Sequence, residues 1–256
     1  MRGKAAAPSI ALLLFFASAA RAQDIVDGFV ARIHVSANGV RMPYRLYIPD
    51  QGSRRRALPL VVYLHGSGGV GDDNRRQISG GNVAGTHLFA TSAMQIRHPA
   101  FVVAPQLPVG QRWGAPDSEM PSPYATLVLE LLETLAKEFS IDANRIYLMG
   151  QSLGGRGVWD LVSKRPNLFA AGVPLCADGN SARAGAARRV PIWAFHGAAD
   201  PVVSVAGSRD LVAALKALGS RVKYTEYADV GHDVWTRAFA EPALPDWLFA
   251  QSLAKR

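Results

Sequence analysis

The sequence predicts an α/β fold: a mostly parallel central sheet with helices on both faces and an antiparallel hairpin on its N-terminal side. Three observations predict it. Short apolar runs, rich in β-branched and aromatic residues and bounded by Gly or Pro, recur along the chain. Segments with apolar residues three and four apart lie between the later runs. An Asn38-Gly39 dipeptide separates two earlier strand-like segments.

Residues 29–35 and 44–48 flank Asn38-Gly39 and read as the hairpin, because both turn positions accept positive φ. Residues 60–64 (LVVYL), 101–104 (FVVA), 146–149 (IYLM), 171–175 and 192–195 (IWAF) read as buried strands, with a further strand-like segment at 222–227. Residues 123–139, 153–165 and 205–218 read as helices. Strands that alternate with helices make a parallel sheet covered on both faces. In such sheets the site lies outside the carboxyl ends of the strands.

The chain has 256 residues, 49% hydrophobic and 19% charged, which suits one domain with a core that needs no disulfide or metal. Its start reads differently. Arg2 and Lys4 precede an apolar stretch at 10–20 (IALLLFFASAA), and Ala20-Arg21-Ala22 follows as a small-x-small site. That is the pattern of a secretory signal peptide. Eleven apolar residues are too few for a membrane span, which needs about 20. The expectation is a cleaved leader over 1–22 and one folded domain over 23–256. The protein is then secreted or periplasmic, with no stable membrane insertion after cleavage.

The formal net charge is +8. Without Arg2, Lys4 and Arg21, 25 basic residues face 20 acidic ones, a net of +5. Arg54-Arg55-Arg56 and Arg75-Arg76 are short basic runs without interleaved aromatics, so they read as solvated surface rather than a nucleic-acid site. Cys176 is the only cysteine and sits in an apolar run. It reads as a small buried hydrophobe. No His or Cys cluster has metal-ligand spacing, and no cofactor is implied.

The strongest motif is Gly150-Gln151-Ser152-Leu153-Gly154. It fits G-x-S-x-G directly after a strand and directly before a helix. A sharp strand-to-helix turn lifts a serine oxygen into the pocket, and its crowding demands small residues two positions either side. Ser152 is therefore the expected nucleophile, and the Leu153 N–H at the helix start an oxyanion donor. A serine capping a helix is the bland alternative.

Serine needs a base. Among the six histidines only His196 and His232 follow Ser152, and the order Ser, Asp, His is expected. His232, in a loop near the C-terminus, is the expected base. Asp200, on the loop after the strand at 192–195, is the expected orienting acid. Asp178, Asp229 and Asp233 compete for that role. His196 then reads as a brace behind the acid. His65-Gly66-Ser67-Gly68-Gly69 follows the strand at 60–64 as an HGGG-type loop. Its oxyanion donor is Ser67 N–H, with Gly66 N–H as the alternative.

With these residues in view, the chain resembles phospholipase/carboxylesterase-like hydrolases of the α/β-hydrolase superfamily, some known as predicted peptidases. It is similar to the polyhydroxybutyrate-depolymerase-like and feruloyl-esterase-like branch. Leu64 to Gly69 with Gly71-Asp72-Asp73-Asn74 carries the likeness, with Val103-Ala104-Pro105-Gln106, residues 142–148 and the serine turn. Trp193 to Gly197 with Asp200 to Val203, and Gly231-His232-Asp233-Val234-Trp235, complete it. It departs at Leu153, where relatives often carry Met. The resemblance implies an ester substrate, which relatives draw from simple carboxylic esters, hydroxycinnamate or acetyl esters of polysaccharide, and polyesters.

The proline-rich segment at 106–124 is long for a plain connection and reads as a functional loop. Trp113 within it and Trp235 beyond the base are candidate aromatic walls, with ordinary packing as the alternative for each. Between Cys176 and Arg189 only a short loop is expected, so no large lid covers the cleft. Two other readings compete: a serine peptidase of prolyl-oligopeptidase type, for whose gating domain the chain has no room, and a non-catalytic binding module.

Overall fold

The structure, a computed structural model, describes residues 24–50 and 56–256. The expected leader, its cleavage point, and Arg54 and Arg55 lie outside the described residues.

The strands are β1 (Ile25–Val26), β2 (Phe29–Val35), β3 (Arg41–Tyr47), β4 (Leu58–Leu64), β5 (Phe101–Pro105), β6 (Ile141–Gln151), β7 (Ala171–Leu175), β8 (Trp193–Gly197) and β9 (Lys223–Tyr227). They form one sheet in the order β1-β2-β3-β5-β4-β6-β7-β8-β9. The pairs from β1 to β5 are antiparallel, and those from β5 to β9 are parallel. The expected architecture holds: a mostly parallel sheet with antiparallel strands at its N-terminal edge.

Side chains alternate across the sheet, as period two requires. Leu60, Val62 and Leu64 of β4 enter one core, and Val61 and Tyr63 enter the other. The first core is closed by α3 (Pro123–Glu138), α4 (Leu153–Lys164) and α6 (Val205–Ala217). The second is closed by α1 (Val83–Leu88), α7 (Trp235–Phe239) and α8 (Leu244–Phe249). The helices α1, α7, α8 and α2 (Ser92–Arg97) were not expected from sequence. Five or six residues are too few to display a helical period.

Two turns differ from expectation. The β2–β3 hairpin forms, but of its Asn38-Gly39 dipeptide only Gly39 has positive φ, at 81°. Ser36 and Val40 close the loop, with Val40 N–H bonded to Ser36 Oγ at 3.1 Å and Ser36 N–H to Val40 O at 3.0 Å. A three-residue loop with a left-handed last residue is the next most common hairpin solution. The two-residue turn with positive φ at both positions is Asp27-Gly28, between β1 and β2.

The β6 strand starts five residues before the expected segment. Its register against β4 shifts, from Leu58 opposite Ile141 to Leu60 opposite Ile146. Asp142 holds this irregular stretch, accepting from Asn144 N–H at 3.0 Å and Arg145 Nε at 2.6 Å. The polar residues there mask the strand pattern.

Candidate active site

The parallel strands end on one side, and the expected chemistry gathers there. Between β6 and α4, Ser152 has φ 53° and ψ −115°. A serine in that region is strained by about 1–3 kcal/mol, and surrounding contacts must hold it. Its N–H donates to Leu175 O at 2.9 Å. Side chains on the flanking glycines would collide with backbone. A Cβ on Gly150 would lie 2.7 Å from the Gly154 carbonyl, and one on Gly154 would overlap the Leu64 carbonyl. The turn closes only because both positions are glycine.

His232 reaches over from the loop after β9. Its Nε2 lies 2.9 Å from Ser152 Oγ, and its Nδ1 lies 2.7 Å from Asp200 Oδ2. Asp200 follows β8, and its side chain is fully buried. Its Oδ1 accepts from the N–H groups of Val202 at 2.8 Å and Val203 at 3.0 Å. Burial pushes the Asp200 carboxyl upward, but hydrogen bonds from His232, Val203 and Val202 outweigh it and hold the pKa below the ordinary carboxylate value.

His196 stands behind the acid and is fully buried. Its Nε2 lies 3.1 Å from Val203 O and 3.2 Å from Asp200 Oδ2, so that nitrogen carries the proton. Its Nδ1 meets Ser208 Oγ at 2.8 Å. Two of the three competing carboxylates are occupied elsewhere. Asp178 pairs with Arg156 of α4, and Asp229 with Arg237.

The loop after β4 turns through Ser67–Gly69 as a single 3₁₀ turn. His65 is its internal brace. Leu107 N–H donates to His65 Nε2 at 2.9 Å, so the proton sits on Nδ1, which donates to Gly66 O at 2.6 Å. Burial lowers the His65 pKa to about 4, against the bond to Gly66, which raises it. The imidazole is therefore neutral at physiological pH. No hydrogen bond runs from Ser67 N–H or Leu153 N–H to a protein group among the described residues. Leu153 N–H directly follows Ser152 at the start of α4, and Ser67 N–H lies on the loop after β4.

Beneath this loop lie residues that sequence reasoning missed. Gln151 is buried and accepts from the Tyr63 hydroxyl. Gln106 Nε2 donates to Gly69 O at 3.2 Å and Asp73 Oδ1 at 2.8 Å, and its Oε1 accepts from Asn74 N–H at 2.6 Å. Asn82 holds Gly66 N–H at 3.1 Å. Arg45, fully buried, donates to Asn74 O at 2.6 Å and to Asp24. Gln106, Asn74 and Gln151 fall within the segments that carry the resemblance; Asn82 and Arg45 have no sequence signal.

The two tryptophans part company. Trp113 does not line the cleft: it is fully buried, its indole N–H donates to His65 O at 3.2 Å, and it packs against Gly157 of α4. A buried indole needs an acceptor, and the carbonyl beneath the loop supplies one. Trp235 is half-buried and stands edge-on to His232, with ring centroids 5.6 Å apart.

A cleft of about 640 Å³ opens beside Leu153 and runs along α4 past Arg156 and Trp159. Its facing wall includes Gln111 and Arg112 of the proline-rich loop. That loop is tied to α4 by Lys164, whose Nζ donates to Ala115 O at 2.7 Å and Met120 O at 2.9 Å and lies 2.7 Å from Asp160. Between Cys176 and Arg189 the chain forms a 3₁₀ turn and the four-residue α5 (Ala184–Ala187), with no lid helix. Cys176 is buried, and burial pushes its thiol pKa up. No helix among the described residues is long and apolar enough to cross a membrane.

Comparison with known proteins follows the same lines. Residues 51–242 match the family model described as Phospholipase/Carboxylesterase. A stretch of 78 residues is 37% identical to a bifunctional acetylxylan esterase/xylanase of Neocallimastix patriciarum and covers 30% of this chain and 12% of that protein. The crystal structure of a thermostable esterase superposes with a TM-score of 0.83 at 36% identity, over 89% of this chain and 64% of that one. The chain thus spans less than two thirds of the length of either protein. A ferulic acid esterase superposes with a TM-score of 0.64 at 17% identity, over 86% of this chain and 96% of that one, a likeness of fold alone. These matches identify the architecture as the α/β-hydrolase fold.

Proposed function

We propose that this chain, which belongs to the phospholipase/carboxylesterase family, is a serine hydrolase that cleaves carboxylic esters through an acyl-enzyme on Ser152. The observation that carries this reading is the unbroken relay from Ser152 Oγ through His232 to the buried Asp200 carboxylate. His232 Nε2 takes the serine proton as Oγ attacks the ester carbonyl. The tetrahedral oxyanion is held by Leu153 N–H and Ser67 N–H. His232 then protonates the departing alcohol, and water activated by the same nitrogen releases the acid. Asp200 orients the imidazole and stabilises its charged form.

The substrate in this reading is a small, aryl or polymer-linked ester that lies along the cleft beside α4, with Trp235 flanking the base. The lack of a lid helix between Cys176 and Arg189 supports an ester carried on a bulky body. The sequence pattern of residues 1–22 supports export, with 23–256 as the catalytic domain outside the cytoplasm.

The test is Ser152→Ala. Hydrolysis of p-nitrophenyl acetate and labelling by a fluorophosphonate should both vanish while the thermal midpoint stays near that of the wild type. Turnover within tenfold of the wild type would overturn the assignment. A panel of methyl ferulate, acetylated xylan, polyester film and peptide anilides then resolves the leaving group.

A further inference from the structure

The oxyanion loop carries two neighbouring amide groups, and the protein occupies one of them. Gly66 N–H donates to Asn82 Oδ1 at 3.1 Å. Asn82 is 2% exposed and lies just before α1. Its other atoms are also engaged. Asn82 Nδ2 donates to Arg76 O at 3.1 Å, and its backbone carbonyl accepts from the Thr86 hydroxyl at 3.0 Å. The side chain is held from both ends and presents Oδ1 to Gly66 in one orientation.

The next peptide plane is fixed from its oxygen side. The Gly66 carbonyl accepts from Gly69 N–H at 3.0 Å and from His65 Nδ1 at 2.6 Å. That carbonyl and the Ser67 N–H share one trans peptide, so they point in opposite directions. Anchoring the carbonyl aims the Ser67 N–H away from the loop interior. Two successive peptide planes are thus set, one by Asn82 and one by His65 and Gly69.

We infer that Asn82 is a positioning residue of the oxyanion hole: it occupies the Gly66 N–H and fixes the peptide plane that precedes the one carrying Ser67 N–H, leaving Ser67 N–H as the partner of Leu153 N–H. The inference rests on Ser152 as the nucleophile, as proposed above. Without Asn82 the Gly66 N–H has no acceptor, and the loop turns to find one. The Ser67 N–H then leaves the position where charge develops, which weakens the transition state more than the bound substrate.

The experiment has two arms. In the first, the ¹⁵N-labelled wild-type protein is phosphonylated with a short alkyl fluorophosphonate, whose phosphonyl oxygen occupies the oxyanion position. The Ser67 and Leu153 amide protons should move downfield while Gly66 moves little; a downfield shift at Gly66 in place of Ser67 overturns the inference. In the second, Asn82→Leu should lower kcat on p-nitrophenyl acetate about 10–100-fold with KM within about threefold, and slow phosphonylation by the same factor. Asn82→Asp keeps an acceptor for Gly66 and should recover kcat to within about fivefold of the wild type.

A kcat for Asn82→Leu within threefold of the wild type overturns the inference, as does Asn82→Asp falling as far as Asn82→Leu. If Asn82→Leu does not fold, the wild-type amide shifts and Asn82→Asp decide the matter. Failure of the wild type to be phosphonylated at Ser152, read by mass, sinks the nucleophile assignment instead, and the two failures are distinct.

Discussion

Asp200 presents its two carboxylate oxygens to different partners: Oδ2 faces His232 Nδ1 at 2.7 Å, while Oδ1 is filled by the Val202 and Val203 N–H groups. The split dictates what an amide in its place would do. The carbonyl oxygen of an asparagine must stay with the two backbone donors. Its NH₂ then faces both His232 Nδ1 and the His196 Nε2 proton.

Asp200→Asn is therefore expected to drive His232 into the tautomer with its proton on Nε2, which cannot accept from Ser152. Esterase kcat should fall about 10³–10⁴-fold with KM little changed, as when a triad acid elsewhere is made an amide. Rates on p-nitrophenyl acetate check this, and a loss below tenfold contradicts it.

His65 links the site to acid stability. Its pKa is about 4 in the fold against about 6.5 in the unfolded chain. Between those values the unfolded chain binds the extra proton and the fold does not, so stability falls as pH drops from 6.5 to 4 and is fully present above 6.5. The loss is of order 3 kcal/mol when complete. Urea midpoints at pH 7 and pH 4.5 should differ less in His65→Gln than in the wild type. Equal differences would remove His65 from the acid transition.

Lys164 and Asp160 form a buried pair one helical turn apart, with side chains 1% and 3% exposed. Lys164→Met leaves Asp160 buried without its cation and frees Ala115 and Met120 of the proline-rich loop. Such a change costs about 3–5 kcal/mol. Asp160→Leu added to it should recover at least half, because the stranded charge is gone. Urea unfolding of both variants measures this; a double variant no more stable than the single would refute it.

Gly154→Ala places a methyl group on the Leu64 carbonyl. The turn at Ser152 must open, so soluble variant should show both a lower thermal midpoint and at least about a tenfold loss of kcat, within the range for overpacking at a tight contact. Retention of both would mean that the turn relaxes without moving Ser152.

Much of the architecture was legible before any coordinates. The apolar runs that became β4, β5, β7 and β8 are short, and Gly or Pro bounds them. Ser152, His232 and Asp200 were readable because each follows a strand, and a parallel sheet brings its strand ends to one side. Trp113 was misread because its position in a Pro-rich loop says nothing of whether the loop faces solvent or tucks beneath its neighbour. Asp160 and Lys164 stood four apart on a recognisable helix, yet their burial depends on the loop that covers them.

By itself the sequence determined the period of each long element, the strand–turn–helix around Ser152 and the chain order of the three site residues, because these follow from local spacing and steric demand. Only the tertiary structure decided the hydrogen-bond allocation. It settled that Asn82 takes the Gly66 N–H, that His65 anchors the following carbonyl, and that Asp200 divides its oxygens between backbone and His232. Each of those partners is distant in sequence or hidden in an unremarkable segment. A hydrogen bond exists only when two groups arrive within about 3 Å in the right orientation, and that is a property of the packed fold.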